Sequence, residues 1–150
     1  MITIQQTNIS PVFDDAALRA DAQALLDILG YGDFDLGILL TDNNSIQEYN
    51  RVYRHQDKPT DILSFSYHSE LKAGEPITVN DPEDKNLGDI IISLEYVRKD
   101  APEWEQTFEQ RMRVLLVHGI CHLRGYDHIE DEDYMVMHKE EDRLLTMLSL

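Results

Sequence analysis

Two hydrophobic patterns alternate along the chain. Apolar residues at every second position, or in β-branched runs, are typical of strands, whereas repeats every three to four positions are typical of amphipathic helices. The first pattern predicts strands at residues 1–5, 34–40, 62–67 and 87–94. The second predicts two helices that begin near Asp14 and Asn43, and two more at 103–124 and 131–148.

Turn-forming residues separate these elements. Gly30 ends the first helix in a position that favours a left-handed conformation, and Pro59 breaks the second. Residues 69–86 form a polar loop with two prolines and a glycine, which predicts the most mobile segment. The period of the last helix predicts a core-facing side that comprises Tyr134, Met137, Leu144, Leu145 and Leu148.

The order of elements mixes short strands with long helices, without an internal repeat or a linker. This order predicts an α+β fold in which a mixed sheet of about four strands packs with four to five helices. The length of 150 residues is close to that of one domain, so we expect a single domain over residues 1–150.

The composition of the chain bears on its cellular location. No apolar run approaches the roughly 20 residues that span a bilayer, and the first residues lack a secretory pattern. Cys121 is the only cysteine, so an internal disulfide is excluded. These features predict a cytoplasmic protein with no membrane partner.

The charge of the chain argues against generic nucleic-acid binding. The formal net charge is −16, whereas proteins that bind nucleic acids neutralise phosphates with lysine and arginine. The basic residues Arg51, Arg54, His55 and Lys58 nevertheless fall within eight positions. A basic patch on an acidic body is one interpretation, and an acidic excess that only maintains solubility is the other.

Three histidines near residue 120 predict a metal site. His118 and His122 are four residues apart, so on a helix their rings project from one face at the separation that two imidazoles need to share an ion. Gly125 allows the chain to leave the helix and to bring His128 back as a third ligand. Three protein nitrogens with one open position are typical of a catalytic zinc site.

The spacing of these histidines matches the metzincin protease motif HExxHxxGxxH, so we expect a zincin-like metal-binding helix. The glutamate that serves metzincins as general base is replaced by Gly119. Activation of water must therefore come from the metal alone, from a residue elsewhere or from the substrate. Phosphodiester cleavage fits this arrangement better than peptide cleavage, because RNA carries its own 2′-hydroxyl.

Three segments resemble one known family. The run from His118 to His128 closely resembles the signature HGxLHLxGYDH of the YbeY proteins, which are endoribonucleases of rRNA maturation. Residues 53–65 resemble the family segment YRxxDKPTDVLSF, and residues 87–90 resemble its LGDI strand. The length also fits, so the resemblance covers essentially the whole chain. Two departures are Cys121, where leucine is usual, and Ser66, where proline is common.

The resemblance implies a zinc-dependent endoribonuclease that acts on single strands in 3′-end maturation of 16S rRNA and in ribosome quality control. By motif position, His118, His122 and His128 would bind one Zn²⁺, and Arg54 would line the cleft. Ribosomal RNA and the small ribosomal subunit or its assembly factors would be the partners. Lys58 is a further candidate for a phosphate contact beside Arg54.

Other polar residues near the motif have competing interpretations. Arg111 is interpreted as a surface arginine, with a substrate phosphate contact as the alternative. Asp127 either accepts a hydrogen bond from a ligand histidine or caps the turn. Cys121 points roughly 100° away from His122 around the helix, so we interpret it as a packing residue and not as a fourth ligand.

Two other functions remain open at this point. The histidine spacing alone is compatible with a metalloprotease-like zinc hydrolase, although Gly119 counts against it. A non-catalytic ribosome-assembly module with a structural metal agrees with the acidic charge, since a protein partner can deliver such a module to RNA.

Overall fold

The computed structural model describes all residues from 1 to 150 and shows an α+β fold with one four-stranded sheet and five helices, as predicted. The strands are β1 (Ile2–Gln6), β2 (Asp35–Thr41), β3 (Ile62–Ser66) and β4 (Asn86–Ser93). The helices are α1 (Ala16–Leu29), α2 (Asn43–Arg54), α3 (Leu94–Asp100), α4 (Phe108–Leu123) and α5 (Asp131–Leu148).

The sheet is mixed, with the strand order β1-β2-β4-β3. The first three strands in this order are parallel, and β3 runs antiparallel to β4 at an edge of the sheet. The prediction of a mixed sheet is confirmed, as is the prediction that the first strand lies at an edge. The edge position of β3 leaves one side of its backbone free of strand partners.

The two faces of the sheet are covered unequally. A core of 25 buried residues lies between one face and helices that include α1 and α4. On the other face, α2 packs through Ile46 onto Leu63 and Ile91, and this second cluster contains only these three buried residues. No helix is both long and apolar enough to span a bilayer.

The structure contains one helix that the sequence did not predict, and one predicted helix begins later than expected. Helix α3 was not predicted, because its first turn continues the apolar run of β4 without a break. The Ser93 side chain ends the strand and caps the helix by accepting a hydrogen bond from the Tyr96 amide at 3.2 Å. The helix predicted from residue 103 begins at Phe108, where Thr107 and Gln110 form a reciprocal capping box.

The predicted core face of α5 is correct in its second half and wrong at Tyr134. Met137 and Leu144 are buried, and Leu145 and Leu148 pack against the core. Tyr134 is 56% exposed. Residues 131–136 are all exposed, because no other element packs against the first turns of α5.

Candidate metal centre

Helix α4 and the turn after it bring the three predicted histidines together. His118 and His122 lie one turn apart on α4, and His128 follows the turn. One nitrogen from each ring lies within 4.8 Å of the others. The Nε2 atoms of His118 and His122 are 3.1 Å apart. This cluster has the size of a site for a single metal ion.

The Nδ1 atoms of His118 and His122 form hydrogen bonds outside the cluster, and these bonds orient the Nε2 atoms toward its centre. The Nδ1 of His118 lies 3.0 Å from a carboxylate oxygen of Glu141, and the Nδ1 of His122 lies 2.9 Å from the carbonyl oxygen of Tyr126. Both partners accept hydrogen bonds, so each Nδ1 carries a proton, and when both rings are neutral each Nε2 presents a lone pair. In that state two lone pairs face each other across 3.1 Å.

Facing lone pairs repel each other unless a cation lies between them. Nitrogens bound at ~2.0–2.1 Å to a tetrahedral zinc ion are about 3.3 Å apart. The observed separation of 3.1 Å is close to this value. The donor set and its tautomers therefore fit a small divalent ion such as zinc.

The surroundings of His122 lower its pKa and so favour the neutral form of the ring. Burial of the ring, together with the neighbouring His118 and His128, lowers the pKa of His122 to about 4. The imidazole is therefore neutral at physiological pH, and a metal need not displace a proton from it.

The turn after α4 depends on Gly125. Its φ of +91° lies in the left-handed region, as predicted, and its amide donates a hydrogen bond to the His122 carbonyl at 3.1 Å. A Cβ at this position would lie 2.6 Å from the backbone oxygen of Leu71. Both the conformation and the close approach require glycine, and together they place His128 beside the other two rings.

We expect Gly125→Ala to destabilise the protein and to weaken metal binding, because the turn must shift to relieve the contact with Leu71. Gly30→Ala is a matched control, since Gly30 has a φ of +81° but no atom lies within 4 Å of the position that its Cβ would occupy. It should lose only ~1–2 kcal/mol for the left-handed conformation and keep its metal affinity. Urea unfolding and zinc titration measure both effects. Equal losses in the two variants would contradict the role of the Leu71 contact.

Glu141 is the residue that sequence reasoning missed. It lies on α5, 23 positions after His118. Asp127 was the residue considered as the hydrogen-bond acceptor for a ligand histidine. It instead accepts a hydrogen bond from the backbone amide of His128 at 2.7 Å and caps the turn. The sequence does contain an indication of this role, because Glu141 shares the buried face of α5 with Met137 and Leu144. A carboxylate on such a face requires a partner.

Ion pairs dock α5 onto the end of α4. Arg124 donates to Glu140 at 2.8 Å, and Arg143 donates to the same carboxylate at 2.6 Å. Burial opposes ionisation of Glu140, but the hydrogen bonds from Arg143 and Arg124 outweigh it and lower the pKa of this carboxyl group. The ion pairs thereby hold the neighbouring Glu141 in reach of His118.

Gly119 lies where α4 comes closest to the sheet. A Cβ at this position would be 2.9 Å from Cδ1 of Ile90 and 3.0 Å from Cδ1 of Ile62. The position that holds the general base in metzincins is therefore packed against the sheet, and a side chain there would have to displace Ile90 and Ile62.

The histidines open onto a cleft of about 640 Å³ that Arg54 also lines. Arg54 donates from its guanidinium to the Ser64 carbonyl at 3.0 Å, on the free edge of β3. Lys58 is exposed and is not among the residues that line the cleft. The structure thus brings Arg54 to the histidines and leaves Lys58 outside.

The interpretation of Arg111 as a surface arginine is wrong. Its side chain is 9% exposed, pairs with Asp61 at 3.4 Å and places its guanidinium 4.2 Å from the ring centre of Trp104. Arg111 does not line the cleft, whereas Asp61 does. Arg111 therefore holds the chain that enters β3. Cys121 is buried, as expected for a packing residue, and burial raises its pKa to about 12.

Comparisons with known proteins identify the family of the chain. The family model described as endoribonuclease YbeY matches residues 2–149. An endoribonuclease YbeY from Homo sapiens is 41% identical over 133 residues, which cover 89% of this chain and 79% of the relative. One from Fusobacterium nucleatum is 47% identical over 111 residues, which cover 74% of this chain and 65% of the relative.

A solved structure shares the fold. The solution structure of TM1509 from Thermotoga maritima matches with a TM-score of 0.64 and 26% identity, over 99% of this chain and 89% of that chain. With a family model that spans nearly all of its length and relatives above 40% identity, this chain belongs to the endoribonuclease YbeY family of RNA-cleaving hydrolases.

Proposed function

We propose that the protein is a zinc-dependent endoribonuclease that cuts single-stranded RNA in 3′-end maturation of 16S rRNA and in ribosome quality control. The observation that carries the proposal is the pair of inward-facing Nε2 atoms of His118 and His122, held 3.1 Å apart beside a cleft with an arginine. Family membership supplies RNA as the class of substrate.

His118, His122 and His128 would hold the zinc ion. When bound, zinc supplies Lewis acidity toward a phosphoryl oxygen and toward water. Three histidine ligands are the donor set of catalytic rather than structural zinc sites, which contain four protein ligands. The only cysteine is buried and separate from the cluster, so it adds no fourth ligand.

Arg54 would bind and orient the RNA backbone. Its guanidinium lines the cleft and is held by the Ser64 carbonyl, so it presents its remaining donors to a phosphate. Lys58 would contact the backbone further along the strand, outside the cleft. The position beside the first histidine has no carboxylate, so the attacking group is deprotonated without a glutamate at residue 119.

Ribosomal RNA, the small ribosomal subunit and its assembly factors are the proposed partners, in the cytoplasm. The net charge of −16 opposes capture of free RNA by long-range attraction. Delivery of the substrate by a bound partner overcomes this repulsion.

The direct test is cleavage of an RNA that spans the 3′ end of a 16S rRNA precursor. We expect zinc-loaded protein to cut its single-stranded regions, chelator-treated protein to be inactive, and added zinc to restore cutting. The complementary duplex should resist, and a peptide mixture should stay intact because Gly119 replaces the protease base. Cutting that survives the chelator would refute metal dependence. Peptide cleavage would favour the metalloprotease, and zinc binding without any cutting would favour the assembly module.

A further inference from the structure

A second concave surface lies behind the cleft, on the sheet face that α2 covers only in part. We call it the sheet groove; it has a volume of about 690 Å³. Strand β3 separates the two surfaces. Its side chains alternate, so Ser64 and Ser66 line the cleft, whereas Phe65 lines the sheet groove. The two surfaces are thus the two sides of one edge strand.

Three neighbouring strands form the floor of the sheet groove. Asp89 on β4 pairs in register with Gly37 on β2 and with Phe65 on β3. The Asp89 side chain is exposed although β4 is a central strand. A Cβ on Gly37 would overlap the Asp89 carboxylate, so the glycine leaves the space that this side chain occupies. The floor therefore carries the Asp89 carboxylate between Gly37, which has no side chain, and the aromatic ring of Phe65.

Aromatic rings form the wall of the sheet groove. Tyr53 is 62% exposed, although the helical period places it on the same face as the buried Ile46. Its ring centre lies 5.4 Å from that of Phe65, in an edge-to-face arrangement, and 6.3 Å from that of Tyr49, nearly parallel to it. An exposed tyrosine ring supported from behind by two other rings is a rigid surface for stacking.

The carboxylates and aromatic rings of the sheet groove determine whether a phosphate or a nucleobase of RNA can bind there. A phosphate is disfavoured, because Asp89 lines the sheet groove without an ion-pair partner and would repel it; Asp35 also lines the groove, but the N-terminal ammonium of Met1 pairs with it at 3.0 Å. A nucleobase offers a flat face for Tyr53 and, in cytosine, adenine or guanine, an exocyclic amine that donates to a carboxylate. Uracil lacks this amine and flanks its N–H group with two carbonyl oxygens.

The sheet groove and the proposed cleavage site lie on opposite sides of β3 and are both lined by residues at the end of α2. Tyr53 and Arg54 are consecutive residues at the end of α2, so their Cα atoms are about 3.8 Å apart. Arg54 reaches the cleft side of β3 at Ser64, and Tyr53 reaches the other side at Phe65. An RNA strand whose phosphate meets Arg54 can therefore pass around the edge of β3 and insert a neighbouring base.

We propose that the sheet groove binds one unpaired nucleobase with an exocyclic amine, stacked on Tyr53 and hydrogen-bonded to Asp89. The inference rests on the proposed function, because it requires that single-stranded RNA binds in the cleft. It assigns the choice of nucleotide beside the cleavage site to a surface that contains none of the proposed metal ligands.

The test measures binding, not cleavage. Fluorescence anisotropy in chelator gives the Kd of labelled single-stranded oligocytidine, oligouridine and oligocytidines with an abasic nucleotide at each position in turn. Base–aromatic stacking predicts that Tyr53→Ala weakens oligocytidine binding roughly 5- to 150-fold. Tyr53→Phe keeps the ring and should bind like the parent protein. Tyr134→Ala, which removes another exposed tyrosine, should also bind like the parent protein.

The abasic series distinguishes a base site from a phosphate contact. In the parent protein, one abasic position should weaken binding more than the others, and this difference should vanish in Tyr53→Ala. Asp89→Asn should reduce the preference for oligocytidine over oligouridine. Cleavage is assayed separately, so loss of zinc-dependent cutting refutes the proposed function without affecting this result.

Four outcomes would overturn the base site. The first is parent-like binding by Tyr53→Ala, and the second is equal weakening with intact and abasic RNA. The third is a parent protein that binds no single strand. The fourth is a Tyr53-dependent dimer in sedimentation velocity, which would mean that a second copy covers the sheet groove.

Discussion

Replacing His122 by alanine is expected to abolish zinc binding and RNA cleavage together. The Nε2 of His122 faces that of His118 at 3.1 Å, and its Nδ1 is held by the Tyr126 carbonyl, so the substitution removes one of the three nitrogens of the cluster. Loss of an outer partner alone costs roughly 10- to 100-fold in metal affinity or activity. Loss of the ligand itself should therefore lower zinc affinity by more than about 100-fold, measured by competition with a chromophoric chelator.

His138→Ala is the matched control for this experiment. His138 lies on α5, is exposed and pairs with Asp142 at 3.5 Å, so its loss removes a histidine without touching the cluster. It should keep the zinc affinity and the cleavage rate of the parent protein. A folded His122→Ala protein that still cuts RNA at the parent rate would show that the cutting comes from another source.

The metal cluster could be predicted because its geometry is local. Four residues on a helix bring His118 and His122 to one face, and a left-handed Gly125 reverses the chain toward His128. These relations follow from backbone geometry and do not depend on how the elements pack. The strands and the mixed sheet were likewise predictable from residue patterns and from the order of elements.

Residues whose roles depend on packing could not be assigned from the sequence. Arg111 pairs with Asp61, 50 positions away, and this contact exists only once α4 lies against the start of β3. Glu141 meets His118 only because α5 docks on α4. Tyr53 belongs to the same class, since its exposure depends on how little of the sheet α2 covers. In each case the residue type was visible and its partner was not.

The second large effect is expected at Glu141, which would act on a bound metal ion through His118. Its carboxylate accepts the Nδ1–H of His118 at 3.0 Å, which fixes the tautomer and makes the ring a stronger donor. We expect Glu141→Ala to lower zinc affinity roughly 10- to 100-fold. Glu141→Gln keeps an oxygen acceptor but loses the charge, so its zinc affinity should lie between those of the alanine variant and the parent protein.

Asp142→Asn serves as the control for Glu141, since it removes a neighbouring negative charge from the exposed side of α5. Its zinc affinity should equal that of the parent protein. The visible spectrum of the cobalt-loaded protein reports the ligand geometry independently of activity, and it should change in Glu141→Ala but not in Asp142→Asn. If Glu141→Ala binds zinc as tightly as the parent protein, His118 is oriented by the helix alone and the carboxylate only helps to dock α5.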